Sequence, residues 1–358
     1  MEALEVLKKI EGAGYEAYIV GGFVRNKILG LNSSDIDVAT SAPPKEVARI
    51  LDINQDDDLG CVNIKGKDYN MDITTYRQEG NYVGHRPQNI VYVSDLITDL
   101  KRRDFTINAI CMDSDGSIID PLGGKEDLER RIIRVIGDIE TKFNEDPVRM
   151  LRAIRLSVVY GLNISDNELV FIINNCDLIK KVSYSRKKEE IGKILISENC
   201  LKGLSFLKTL GVLDVMDIKI SENIVYTKDY IGMWAQLEYS NKYPFSKLEN
   251  HRLKNIRSIL KYGKVDKDVL FQYGLYDSLV AGEILRIDTK EIKRTYDNMP
   301  IHTKEDICVS GKRIKELLGI GDDPIIKKIK RDLIINLVSG NLTNEQKVLE
   351  GYIIEKWK

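Results

Sequence analysis

YIVGGFVRNKILGLNSSDIDVAT, Tyr18 to Thr40, joins an apolar run, a glycine pair, a short helical stretch closing at Gly30 and a second apolar run that carries Asp35 and Asp37. Side chains two apart on a strand share a face, so the two carboxylates of this D-x-D converge on one spot. Two hard oxygen ligands suit Mg²⁺, which keeps several waters and draws substrate phosphates into its shell. Two such ions about 3.5 to 4 Å apart flank an in-line phosphoryl displacement. An isolated D-x-D is more often a solvated turn or strand end, and the residues upstream alter that reading. Gly21 and Gly22 follow AYIV (Ala17 to Val20) at a strand-to-helix junction. Backbone without Cβ approaches a ligand closely there, and successive N–H groups face a phosphate. Arg25, one turn on, supplies a fork for triphosphate oxygens. Taken without the carboxylates, the glycines read equally well as an ordinary turn beside a solvated arginine.

At 358 residues the chain is long for one core, and two to four domains are expected. A hydrophobic content of 43% with 30% charged residues describes a soluble globular protein. No apolar run approaches the ~20 residues of a membrane helix, which points to the cytoplasm and away from a bilayer. The start, MEALEVLKKIEGAGYEAY, reads as an amphipathic helix ending around Gly12 to Gly14, without the apolar centre of a signal peptide. Cys61, Cys111, Cys176, Cys200 and Cys308 form no C-x-x-C, and His85, His251 and His302 lie far apart. These spacings argue against disulfides, zinc and an H-D phosphohydrolase centre. No protein partner is evident.

The net charge of −1 hides basic clusters: Lys101 to Arg103, the row Arg149, Arg152, Arg155, the stretch Lys180 to Lys193, and Lys327 to Arg331. Each alone reads as a solvated helix face; their recurrence suggests phosphate contacts to RNA along one side. Organisation shifts along the chain. Up to about residue 136, β-like runs (CVNI, YNMDITTYR, TINAICMD, SIID) are separated by turns at Lys65 to Asp68 and Ser114 to Gly116. From Asn144 onward the apolar positions recur at helical spacing, as in MLRAIRLSVVYGL and DPIIKKIKRDLIINLVSG.

Three further motifs follow the D-x-D unit in order: RRDFTINAI (Arg102 to Ile110), NEDPVRMLRAIR (Asn144 to Arg155) and VSYSRKKEEIGKIL (Val182 to Leu195). The set resembles the class II tRNA nucleotidyltransferases, the CCA-adding enzymes and their bacterial poly(A) polymerase relatives, within the polymerase β superfamily. The tail from Ile307 to Tyr352 is similar to the family's tRNA-contacting segment, so that only residues 215–300 carry no recognisable motif. The resemblance implies an α+β fold, with an N-terminal mixed-sheet nucleotidyltransferase head (1–136) followed by an all-helical neck that selects the nucleotide (137–200), a body (201–300) and a tRNA-binding tail (301–358). It implies Mg²⁺ on Asp35 and Asp37, which are also the catalytic carboxylates. Gly22, Arg25, Arg103, Asp146, Arg149, Arg152 and Arg155 bind the nucleotide, with Asp104 and Asn108 beside Arg103. The implied substrates are CTP, ATP and the 3′ end of tRNA. Asn26 stands where the family usually follows G-G-x-V-R with aspartate, and DDDLGCVNI departs from the family's Gly-Thr-containing strand. Asp72 in YNMDITTYR is a candidate third carboxylate.

The helix starting at Pro147 has its own chemistry. Proline favours the first helical position, and Asn144 to Asp146 supply caps and acids at the positive end. Arginines three apart drift by roughly 60° per step, so one ligand group cannot be gripped by all of them. Asp146 and Arg149 are expected at a base edge, with Arg152 and Arg155 on phosphate or bracing the first pair. Cytosine and adenine each present an amine donor beside a ring-nitrogen acceptor, which a carboxylate plus a guanidinium matches. Uracil and guanine present the reverse and would leave buried polar groups unpaired. The polar loop Tyr76 to Ile90 is long enough to move between strands and to serve the switch from C to A, which by resemblance favours A addition or full CCA addition over CC alone. The expected activity is template-independent addition or repair of the 3′ CCA of tRNA with pyrophosphate release. An A-adding-only enzyme or a poly(A) polymerase is the alternative within the class, and a noncatalytic RNA-binding protein or a small-molecule nucleotidyltransferase the alternative outside it.

Overall fold

The computed structural model describes residues 3–53, 61–66, 69–83, 86–321 and 324–358. They fall into two compact units, Met1–Ile218 and Lys219–Lys358.

In the first unit, α1 (Ala3–Gly12) buries the stripe Val6, Leu7 and Ile10, as its amphipathic pattern requires. There follow β1 (Ala17–Val20), α2 (Gly22–Ile28), β2 (Asp35–Thr40), α3 (Pro44–Leu51), β3 (Cys61–Lys65), β4 (Asn70–Thr75), β5 (Arg77–Val83), β6 (Arg86–Tyr92), α4 (Leu96–Lys101), β7 (Cys111–Met112), β8 (Ile118–Ile119) and α5 (Gly124–Glu129). Six strands form a mixed sheet in the order β3-β4-β2-β1-β7-β8. β2 and β4 run parallel, whereas β1 pairs antiparallel with both β2 and β7. Along β2, Ile36 and Val38 are buried while Asp35 and Asp37 take the opposite face. The period of two thus places both carboxylates on the side away from the core.

Two expectations are corrected here. TINAICMD is not one strand: Thr106–Asn108 is a 3₁₀ turn and only Cys111–Met112 joins the sheet. The cause is local, since the Asp104 carboxylate accepts from Phe105 N at 2.9 Å and Asn108 Nδ2 at 2.9 Å and so draws the backbone into a turn. The stretch Tyr76 to Ile90 is not a plain connecting loop either. β5 and β6 pair as an antiparallel hairpin from Arg77↔Tyr92 to Val83↔Arg86, and Gly84 and His85 lie outside the described residues. So do Asp56 to Gly60 of DDDLGCVNI, and Lys67 and Asp68 of the expected turn.

α6 (Ile139–Glu145), α7 (Val148–Tyr160), α8 (Asp166–Asn174) and α9 (Tyr184–Leu195) follow the head, with α7 packed on α9. The segment is not purely helical, because Ile132–Ile133 and Asn163–Ile164 pair as a short parallel ladder. Pro147 sits at the N-cap of α7 and Gly161, at φ 65°, closes it.

In the second unit, the helices Lys267–Ile284, Thr289–Asp297, Gly311–Leu318, Ile325–Ser339 and Gln346–Trp357 share one core. Leu270, Ile292, Met299, Ile301, Ile314, Leu333 and Ile353 all belong to it, so the packing runs uninterrupted across residue 300. Among the described residues, no helix is long and apolar enough to cross a membrane.

Candidate active site

A cavity of about 650 Å³ in the first unit is lined by the β1–α2 turn, β2, β5 and the start of α7. Gly21 turns the chain with φ 80°, a conformation that favours glycine, and a Cβ there would lie 3.1 Å from Asp37 Oδ2. The backbone is thereby brought against the carboxylate. Arg103 Nη1 lies 3.7 Å from the same position.

Of the sequence-derived site residues, the cavity gathers Gly22, Arg25, Asp37, Arg103, Asp146, Arg149, Arg152 and Arg155. Asp35 and Asp37 share the exposed face of the strand, but Asp35 does not line the cavity and lies 3.5 Å from Asn70 Nδ2. Asp72 stands opposite Asp37 in the β2–β4 register and accepts from Asn63. Burial pushes the Asp37 carboxyl up; Asp72 and Asp35 push the same way, and Arg103 opposes them. A hard divalent cation would offset that repulsion, so the pair fits a metal. Among the described residues no group of three or more ligating side chains forms a metal cluster, and Asp72 does not complete one. Two carboxylates leave the remaining coordination to water and substrate phosphates.

The arginines are tied from behind by acids distant in sequence. Arg152 Nε donates to Asp104 Oδ2 at 2.6 Å, and Arg155 Nε donates to Glu190 Oε2 at 2.6 Å. Burial alone would raise Asp104, but Arg152 together with the bonds from Asn108 and Phe105 holds it at about 2. Asp104 in turn raises Arg152. Arg102 Nε and Arg103 Nη2 both donate to buried Asp99, at 2.8 and 3.2 Å. Arg25 donates to Asn26, Asn108 and Tyr160, with its guanidinium 4.4 Å from the centre of the Tyr160 ring.

Asp146 is held by a residue outside the expected set, Arg186, whose Nη1 and Nη2 donate to Oδ1 and Oδ2 at 2.8 and 2.7 Å, and Oδ1 also accepts from Val148 N at 3.2 Å. Arg149 spends Nη1 on the Lys142 carbonyl at 2.7 Å and on Glu145 at 2.9 Å, which keeps Nε and Nη2 for a ligand. Two of the roughly four acceptor positions on the Asp146 carboxylate face Arg186 and one faces Val148, so one remains for an amine.

Sequence reasoning missed several residues. Arg186 counted only as part of a basic stretch, though its position four before Glu190 was visible. Tyr82 and Glu79, from the hairpin, form one wall: the Tyr82 hydroxyl donates to Glu79 at 2.6 Å and its ring lies 5.8 Å from the Arg149 guanidinium. Burial and Glu79 push Tyr82 up to about 12. One expected phosphate contact is excluded: Lys187 is 2% exposed, with Nζ 3.5 Å from the Val215 carbonyl.

A mixed sheet bearing a D-x-D, with an arginine-lined cavity between it and a following helix, is the arrangement of a nucleotidyltransferase head. Residues 17–134 match the poly A polymerase head domain, 161–216 the probable RNA and SrmB-binding site of polymerase A, and 242–353 the putative tRNA nucleotidyltransferase domain 2. The chain is 32% identical to a CCA-adding enzyme of Ligilactobacillus salivarius, with 97% of this chain and 94% of that one covered. It is 31% identical to the one from Geobacillus stearothermophilus, with 99% and 96% covered. The Bacillus stearothermophilus CCA-adding enzyme solved in complex with CTP superposes with a TM-score of 0.84 at 27% identity, over 99% of this chain and 96% of that one. The chain belongs to the CCA-adding enzymes, the tRNA nucleotidyltransferases that add the terminal CCA without a nucleic-acid template.

Proposed function

We propose that this enzyme adds C, C and A in turn to the 3′ end of tRNA from CTP and ATP, with the cavity around Arg25, Asp37 and Asp146 holding the incoming nucleotide. The observation that best supports this is the gathering in one cavity of a strand carboxylate, the glycine turn, Asp146 just ahead of α7 and Arg149 in its first turn. Arg25, Arg103, Arg152 and Arg155 receive the triphosphate. Acids behind Arg103, Arg152 and Arg155 fix their orientation before substrate arrives, which lowers the cost of ordering on binding. Asp146 accepts the exocyclic amine and Arg149 donates to the ring nitrogen of cytosine or adenine. Uracil and guanine would set a carbonyl against the carboxylate and an N–H against the guanidinium. Asp35 and Asp37 would hold Mg²⁺, which would supply charge to lower the pKa of the tRNA 3′ hydroxyl and to neutralise the departing pyrophosphate. Tyr82 and Glu79 place the hairpin against Arg149, where a change in the hairpin can adjust the pocket between C and A.

The test uses tRNA transcripts ending at the discriminator base, at C and at CC, each incubated with one nucleoside triphosphate. The reading requires CMP on the first two and AMP on the third. AMP on the third alone would make it an A-adding enzyme, and long A tracts a poly(A) polymerase.

A further inference from the structure

Eight arginines line the cavity, and seven of them have a carboxylate oxygen within 3.2 Å. Arg25 is the exception among the described residues. It is 5% exposed, yet all its partners are neutral: Nε and Nη2 donate to Asn26 Oδ1 at 3.2 and 2.9 Å, Nη2 to the Tyr160 hydroxyl at 3.0 Å, and Nη1 to Asn108 Oδ1. Amide and hydroxyl oxygens satisfy donors but leave a unit charge uncompensated, and a guanidinium does not shed its proton to escape burial. Asp104, which shares Asn108 with Arg25, is already committed to Arg152. Four of the five donors are used, so one Nη1 N–H remains for a ligand.

We infer that Asn26, by being an amide rather than a carboxylate, keeps Arg25 free to neutralise a diphosphate group, and so sets how tightly this enzyme holds pyrophosphate and the β,γ end of its nucleotide. The inference rests on the placement of the triphosphate at Arg25 proposed above. An aspartate at position 26 would set its carboxylate where the Asn26 oxygen now meets the fork, pairing the cation before any ligand arrived. A carboxylate about 4 Å from a phosphate, in a cavity open to solvent where the effective dielectric is close to that of water, weakens phosphate binding about tenfold.

The experiment measures inhibition of CMP incorporation by inorganic pyrophosphate, and the KM for CTP, on a tRNA lacking CCA. Asn26→Asp should raise the pyrophosphate inhibition constant about tenfold and raise KM in parallel, whereas the neutral Asn26→Ala should stay within about threefold of the parent. Asn26→Glu carries the same charge on a longer arm and serves if the aspartate variant does not fold. In an Arg25→Gln background the acidic change should have little further effect. Equal weakening by Ala and Asp, or an undiminished effect of Asp without Arg25, overturns the inference. If Arg25→Gln weakens pyrophosphate but Asn26→Asp does not, this inference alone fails. If Arg25→Gln leaves pyrophosphate inhibition untouched, the placement of the triphosphate at Arg25 fails.

Discussion

On the proposed reading of the base by Asp146, the fork from Arg186 decides whether that carboxylate is rigid or loose, and a double-mutant cycle measures it. The two bonds are 2.8 and 2.7 Å long, and the side chains are 28% and 13% exposed. A partly buried, charge-assisted fork of this kind couples its partners by about 2 kcal/mol, which is about thirtyfold in kcat/KM. Removing Arg186 leaves Asp146 without the contact that aims it, so Arg186→Ala should lower kcat/KM for CTP about thirtyfold and lower the preference for CTP over UTP as well. Once Asp146 is gone, Arg186 has nothing left to aim, and the double variant should be little worse than Asp146→Ala. Arg186→Lys keeps the charge but not the planar fork and should recover only part of the selectivity. The assay is single-turnover CMP and UMP incorporation on a tRNA lacking CCA, with melting curves to establish folding. Strict additivity of the two single changes, or an unchanged CTP over UTP ratio in folded Arg186→Ala, would refute the reasoning.

Asp37→Asn should reduce incorporation of both C and A about 10³-fold, the several kcal/mol that metal-held charge contributes, and near-normal activity in Mg²⁺ would rule out the metal assignment. Asp104→Asn should destabilise the first unit by about 2 kcal/mol at pH 7, because the folded carboxyl is held at about 2, below its ordinary 3.8. That stabilisation is complete above the ordinary value and fades as pH falls from about 4 towards about 2, so the gap in urea midpoints between parent and variant must narrow over that range; a gap independent of pH would exclude the ion pair as its source. Neutralising Lys327, Lys328, Lys330 and Arg331 to Gln should weaken tRNA binding and flatten the salt slope by up to about 3, while an unchanged slope would remove this helix from the RNA surface. Point changes are needed because the tail shares its core with residues before 300, so a deletion from Thr303 would strip Ile314, Leu333 and Ile353 from that core.

Local signals were legible in the sequence and long-range pairings were not. The alternation in SDIDVAT placed two carboxylates on one strand face, and the glycine pair before FVRNKILG marked the turn that crowds Asp37. The proline and acids ahead of VRMLRAIR located the start of α7. What those arginines touch depends on residues 35 to 48 positions away, Glu190 and Asp104, which no periodicity announces. For the same reason the fork from Arg186 onto Asp146 was missed. The hairpin was misjudged because its covered residues include the charged Arg77 and Glu79, while Ile90, Val91 and Tyr92 are exposed, so the apolar alternation that betrays a strand against a core is not seen among its described residues.

Because α7 carries Arg149, Arg152 and Arg155 on a single rigid rod, the helix also acts as a ruler. Six residues at about 1.5 Å rise set the first and last guanidinium stems about 9 Å apart along the axis, which is on the scale of a nucleotide measured from base towards phosphate. Each mark on the ruler is pinned by a different acid, Glu145, Asp104 and Glu190. Exchanging one side chain erases one mark. Inserting or deleting one residue between Arg149 and Arg152 turns the later marks by about 100° and slides them by about 1.5 Å, away from two of their acids at once. This stretch of the chain is therefore expected to tolerate substitution over long divergence while holding its length fixed.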